Sequence, residues 1–338
     1  MILSDVAVEL ENLRKTFVVK TGRGFRRSSS EVVAVDGISL KVMRGQSVAF
    51  IGPNGAGKST TIKILTGILR PSSGLVSVLD LVPWQKRNQL TRQIGAIFGQ
   101  RSQLWYHLPP SDTFELLARV YDLDKQQYRQ RRDMLIERFS IDSFLQTPVR
   151  KLSLGQRMRA EIAASLLHCP KLLLLDEPTV GLDVVARQEL RQLIREWNEN
   201  EGVTVFLTSH DAGDIESVAQ RVIVVNHGRV VLDDKVSSMR RQYLGAKVLS
   251  VKFHEPPKPI DLKGVTILKS TQFGLQLEVD TQKMPIETVM ESILKAGPVA
   301  DITIEDPPLE EVIAHIYSQP PQEVAVAGDS DKINETDK

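Results

Sequence analysis

The chain has 338 residues, which at roughly 150 residues per domain allows about two domains. Lys plus Arg number 43 against 42 Asp plus Glu, a net charge of +1, so no bulk basic footprint points to nucleic-acid binding as the main task. With 41% hydrophobic and 25% charged residues the mix is globular, and the single cysteine, Cys169, excludes an internal disulfide and a cysteine-rich zinc site.

The N-terminus lacks the basic and apolar regions of a signal peptide. Val6–Leu10 and Ile38–Val42 alternate apolar and polar side chains, the pattern of half-buried strands. Between them Lys20–Ser30 carries four basic residues without apolar periodicity and reads as an exposed loop. From Ser47 to about Leu232 apolar runs alternate with helical patterns, as in a parallel α/β sheet. The strand candidates are Val48–Ile51, Gly95–Phe98, Leu172–Leu175, Val203–Leu207 and Val222–Val225. Residues 105–168 interrupt this alternation with charged, helix-rich sequence and read as an inserted helical subdomain. The longest stretch free of Asp, Glu, Lys and Arg is the 13 residues from Gly45 to Gly57, too short for a spanning helix of about 20 residues.

A second composition begins at Gly245. Lys247–Phe253, Val265–Lys269, Leu275–Val279 and Val299–Ile304 read as strands. A helix opens at Pro285 with Ile286, Val289, Met290, Ile293 and Leu294 on one face, and Leu309, Val312, Ile313, Ile316 and Tyr317 line a last helix. These elements predict a small α+β domain over 245–317. The tail 318–338 holds five acids and no aromatics and is expected to be disordered.

Gly52, Pro53, Asn54, Gly55, Ala56, Gly57, Lys58 and Ser59 fit G-x-x-x-x-G-K-[ST] between a strand and a helical pattern, the context that the phosphate-binding loop requires. Backbone N–H groups of such a loop turn inward around phosphates, and the helix that follows, with Thr60 in its first turn, points its positive end at the same anion. Lys58 reaches the β- and γ-phosphates, and the Ser59 hydroxyl binds Mg²⁺. The run Leu172–Leu175 ends in Asp176 and Glu177, the first placed to hold Mg²⁺ and the second to polarise an attacking water. The reaction class is MgATP or MgGTP hydrolysis or transfer.

Further segments narrow this. Gln100 follows one strand, the run Leu152–Arg157 precedes Asp176 by about twenty residues, Gly181–Asp183 follows the acid pair, and His210 follows another strand. With the P-loop, this ordered set resembles the ATP-binding cassette (ABC) ATPases over roughly residues 4–235. The resemblance implies an α/β P-loop core with an antiparallel β subdomain and an inserted helical subdomain, here carrying the small C-terminal α+β domain. It implies that Ser153, Gly155 and Gln156 cap the γ-phosphate of a second subunit, and that Asp183 crosses the interface between the two. Gln100 would approach Mg²⁺, His210 would contact the γ-phosphate, and Phe17 would stack on adenine. Leu154 departs from the family pattern by standing where the signature usually has its first glycine.

With one P-loop and one signature, the chain resembles half of a head-to-tail sandwich, and a homodimer is the simplest closure. The segment Gln100–Pro109 resembles that of exporters whose permeases are separate chains, and Trp105 with Tyr106 suits a partner surface. The expected protein is therefore the MgATP-hydrolysing subunit of an exporter, cytoplasmic and peripheral at the inner face of the membrane, with a separate permease and without nucleic acid. The alternatives are a cassette protein acting on ribosomes or DNA, which lacks support from a tandem cassette or coiled-coil insertion, and a small-molecule kinase, which leaves the signature and His210 unexplained. Cys169 is expected to pack ahead of the Leu172 strand.

Overall fold

The computed structural model describes residues 5–21, 28–99, 102–243, 246–259, 265–281 and 283–305, together with Ile313 and Ile316. Strands β1 (Val6–Thr21) and β2 (Ser28–Met43) form a long antiparallel pair. The ladder runs out to the Thr21–Ser28 pair, so the expected loop narrows to residues 22–27, which lie outside the described residues. Polar Ser29 and Ser30 hide this from a periodicity reading, because backbone pairing rather than burial extends the strands. Strand β3 (Ser47–Ile51) leaves for a second sheet and leads into helix α1 (Lys58–Leu65), after which β4 (Ser73–Val78) returns to the free edge of β1.

Helix α2 (Arg87–Thr91) and strand β5 (Ile94–Phe98) precede a helical insertion. It contains α3 (Pro110–Val120), α4 (Lys125–Arg138), two short 3-10 turns and α5 (Leu154–Leu166). The chain then runs through β6 (Leu172–Asp176), α6 (Val184–Glu201), β7 (Thr204–Ser209), α7 (Ala212–Val218), β8 (Arg221–Asn226), β9 (Arg229–Lys235) and α8 (Val236–Tyr243). The resulting six-stranded sheet has the order β5-β6-β7-β3-β8-β9, parallel except for β9 at its edge. Every residue of β3 and β7 is buried, as expected where helices or a second sheet cover both faces. One face packs on α1 and the β1–β2–β4 sheet through Phe50, Ile62, Val76 and Phe206, and another on the helical insertion through Phe114, Leu135, Ile162 and Leu173. Cys169 is exposed rather than packed, in a left-handed backbone turn (φ 53°) after α5.

Strands β10 (Ala246–Phe253), β11 (Val265–Thr271), β12 (Gly274–Asp280) and β13 (Val299–Glu305) build a separate antiparallel sheet of order β11-β12-β10-β13, and α9 (Ile286–Ala296) lies over one face. Val289 and Ile293 join Leu249, Val251, Leu277 and Val279 in its core, whereas Leu294, expected on the same face, is 61% exposed. The last helix differs from expectation in its partner. Ile313 and Ile316 are helical and buried against Ala49, Ile51, Ala212, Ile215 and Val224 of the large sheet layer, not against the small sheet. Leu309, Val312, Tyr317 and the tail 318–338 lie outside the described residues.

Candidate functional site

Four chain exits meet at the carboxyl edge of the parallel sheet: β3 into Gly52, β5 into Gly99, β6 into Glu177 and β7 into His210. The loop after β3 is held tightly. Gly57 caps α1 with φ 100°, and a Cβ there would lie 2.4 Å from the Ala34 carbonyl oxygen, so only glycine fits. No side chain caps α1, which leaves its first N–H groups directed at whatever binds there. Pro53, Asn54 and Gly55 are exposed on the loop, Ala56 is buried beneath it, and Ser59 and Thr60 open the helix.

Lys58 is buried, and its Nζ donates to the Gly52 carbonyl oxygen at 2.7 Å and lies 3.9 Å from Glu177 Oε1. Burial pushes its pKa below the ordinary lysine value, opposed by the charges of Glu177 and Asp176. A nearby polyanion would restore the charged form. Ser59 Oγ donates to Asp176 Oδ1 at 3.2 Å, and Thr208 Oγ1 donates to the same oxygen at 2.7 Å. Glu177 sits in the left-handed region (φ 53°), rare for a side chain of its kind, and its N–H is held by the carbonyl oxygen and the hydroxyl of Thr208, each at 3.1 Å. His210 Nδ1 is 3.6 Å from Glu177 Oε1, with the ring 61% exposed.

The sequence-predicted residues Lys58, Ser59, Asp176, Glu177 and His210 therefore converge. Thr208 joins them without belonging to any of the sequence motifs, although a polar Thr–Ser pair ending an apolar strand is a signal for it. Gln100 lies outside the described residues, but Gly99 donates its N–H to the Asp176 carbonyl oxygen at 2.9 Å, which anchors the start of its loop beside the acid pair. Phe17 pairs with Val32, two residues along β2 from the carbonyl that abuts Gly57, and Lys15 Nζ stands 5.1 Å from its ring.

A second group gathers around a hollow of about 290 Å³ lined by Ser153, Gly155, Gln156, Asp183 and Ala186. Ser153 caps α5, its hydroxyl accepting from Gln156 N–H while the Gln156 side chain accepts from Ser153 N–H, a reciprocal capping box. Asp183 caps α6 by accepting from Ala186 N–H at 2.9 Å, and Val180, Val184 and Val185 beside it are exposed. The departing Leu154 leans over the neighbouring loop: a Cβ on Gly181 would meet Leu154 Cδ2 at 2.9 Å.

Among the described residues no cluster of three His, Cys, Asp or Glu side chains is placed to hold a metal. The Ser59–Asp176 pair still suits Mg²⁺, which takes one or two protein ligands and completes its shell with water and substrate phosphates.

A family model described as ABC transporter matches residues 35–180. The daunorubicin resistance ATP-binding protein DrrA3 of Streptomyces coeruleorubidus is 31% identical over 300 residues, spanning 87% of this chain and 94% of that protein. This chain belongs to the ABC transporter family. The bacitracin transport ATP-binding protein BcrA of Bacillus licheniformis is 31% identical over 214 residues, 62% of this chain and 69% of that one. Among solved structures, the cassette MJ0796, a dimer in a post-hydrolysis state bound to ADP and Pi, is similar with a TM-score of 0.59 at 27% identity, covering 68% of this chain and 98% of its own. This ABC protein is an ATP-binding, ATP-hydrolysing transporter subunit, and the ribosome or nucleic-acid alternative is not favoured. Among the described residues no helix is long and apolar enough to cross a membrane.

Proposed function

We propose that this ABC subunit drives an exporter whose membrane permease is a separate chain, working as a homodimer at the inner face of the membrane. The observation that carries the reading is the convergence of Lys58, Ser59, Asp176, Glu177 and His210 at one sheet edge. In this reading Lys58 and the backbone of Gly52–Ser59 hold the β- and γ-phosphates, and Phe17 supports the adenine. Ser59 and Asp176, with Gln100, would hold Mg²⁺, which would supply charge neutralisation for the phosphates when bound. Glu177 orients and deprotonates the attacking water, and His210, beside it, contacts the γ-phosphate.

Ser153, Gly155, Gln156 and Asp183 serve the site of the facing subunit. The exposed Val180, Val184 and Val185 around Asp183 support such an interface, since three valines so close together gain from burial. The permease side is supported by Trp105 and Tyr106, which stand 44% and 59% exposed in the segment that follows Gln100. Export is supported by the drug-resistance and peptide-antibiotic relatives. Residues 1–240 would form the nucleotide-binding domain, with the helical subdomain at about 105–168, and the small α+β sheet after residue 245 would brace it.

The test is Glu177→Gln. ATP binding should persist while phosphate release falls by two orders of magnitude or more, and the variant should elute as a stable ATP-bound dimer. A variant that hydrolyses ATP at the wild-type rate refutes the assigned role.

A further inference from the structure

Behind the His210 loop lies a set of ion pairs that none of the roles above uses. Arg187 and Arg191 stand one turn apart on the same face of α6. Arg187 reaches two loops at once: Nη1 donates to Asp211 Oδ2 at 2.5 Å and Nη2 donates to the Leu182 carbonyl oxygen at 3.2 Å. Arg191 donates to the other Asp211 oxygen and, through Nε, to Asp214 Oδ1, both at 2.7 Å. The second oxygen of Asp214 accepts from Thr179 and Ser209 hydroxyls. Leu182 is the neighbour of Asp183, and Asp211 the neighbour of His210.

The loop that would face a second subunit and the loop that would face the γ-phosphate are thus joined through the Arg187 guanidinium, while Arg191, from the same helix face, holds Asp211 and Asp214, the latter tied in turn to Thr179. A planar fork makes this link stiff, because each donor direction is fixed once one partner is bound. Charge-assisted bonds in a half-buried setting also hold better than exposed pairs. Asp214 is 1% exposed and would be left a buried, uncompensated charge without Arg191, so that side of the link is bound up with folding. Arg187 is the accessible member, with 32% of its side chain exposed and both loops in its grasp. Its Nε is buried without a partner, so one donor of the fork remains to meet a shifted loop.

We propose that Arg187 and Arg191 are positioning residues that lock the Asp183 loop to the His210 loop, so that contact of Asp183 with the facing subunit sets the place of His210 over the γ-phosphate. The transmission rests on the functional reading above; the mechanical link does not. Removing Arg187 would leave the P-loop intact and misplace His210.

The experiment uses Arg187→Gln and Arg187→Lys in the full chain. With Arg187→Gln, KM for ATP should stay within about threefold of wild type while kcat falls roughly 10- to 100-fold, the scale of a small misplacement of a reacting group. Arg187→Lys, which keeps the charge, should recover part of that loss. Asp183→Ala should lower kcat in the wild-type background and add little to Arg187→Gln, because both act through one link. An unchanged kcat in Arg187→Gln, or effects of the two substitutions that multiply, overturns the proposal. Hydrogen exchange on the nucleotide-free chain reads the link directly: Arg187→Gln should speed exchange at Leu182 and at Asp211 and Gly213 together. Loosening of one loop alone overturns it. A wild type that turns over no ATP but shows both loops loosened together in the variant would uphold the link and sink the transporter reading.

Discussion

The two larger sheets of this molecule use the same backbone chemistry to opposite ends. In the six-stranded sheet, five strands run in parallel and the central ones are buried throughout, so the strands carry little besides apolar side chains and their carboxyl ends all open at one edge. Polar residues gathered there meet, which is why Lys58, Asp176 and His210 come together from positions far apart in sequence. In the four-stranded sheet every pairing is antiparallel, and β12 alternates buried and half-buried residues along its length. Successive strand ends then fall at opposite edges, which keeps the residues that follow them apart. Parallel pairing concentrates chemistry at an edge; antiparallel pairing spreads side chains over faces and suits a brace.

The contrast would break most visibly at Lys58. Lys58→Ala should weaken ATP binding by roughly 10- to 100-fold, read by titration with a fluorescent ATP analogue, while the unfolding midpoint moves little. A large loss of stability with intact ATP affinity would mean that the large sheet edge is a structural seam and not a site. Leu277→Ala, in the centre of the small sheet, should do the reverse. It should cost about 2–5 kcal/mol in denaturant unfolding and leave KM and kcat near wild type. A matching loss of ATPase activity would show that the small sheet belongs to the catalytic unit.

The smallest effect concerns acid. His168 is buried, stacks on Tyr121 with ring centroids 3.9 Å apart, and directs Nε2 at the Ile94 carbonyl oxygen at 2.9 Å, while Nδ1 is buried without a partner. Burial, opposed by the Ile94 hydrogen bond and reinforced by the charge of Arg131, holds its pKa below the ordinary value near 6.5. Between that lowered pKa and 6.5 the unfolded chain binds more protons than the folded one, so stability falls as the pH drops below 6.5. His168→Phe keeps the stack and should flatten this slope, by at most about 1.4 kcal/mol per pH unit, in thermal melts between pH 5 and 7.5. An unchanged slope in that variant would place the acid sensitivity elsewhere.

Much of the site can be read in the sequence because its strands are apolar runs that stop abruptly at charged or hydroxyl residues. Leu172–Asp176 states both its burial and its end. The half-exposed ladders are harder. The outer ends of β1 and β2, the short β4 at Ser73–Val78, and the edge strand Arg229–Lys235 with four charged residues all escape a periodicity reading, since pairing sustains them without a clean buried face. The clamp of Arg187 and Arg191 on Asp211 and Asp214 is illegible for another reason. Its partners are 20 to 24 residues apart, and only the packing of α6 beside α7 brings them into reach. The partner of the last helix is hidden likewise, because Ile313 and Ile316 show an apolar face without saying which sheet receives it.

That last contact has a consequence for how the molecule is made. The strand holding Ala49 and Ile51 leaves the ribosome early, while the side chains that complete its cover follow more than 260 residues later. Until then part of the central layer lacks its cover, and the nucleotide-binding unit completes its packing only once Ile313 and Ile316 have been made. A nascent chain interrupted in the small sheet would leave the ribosome with that apolar seam open.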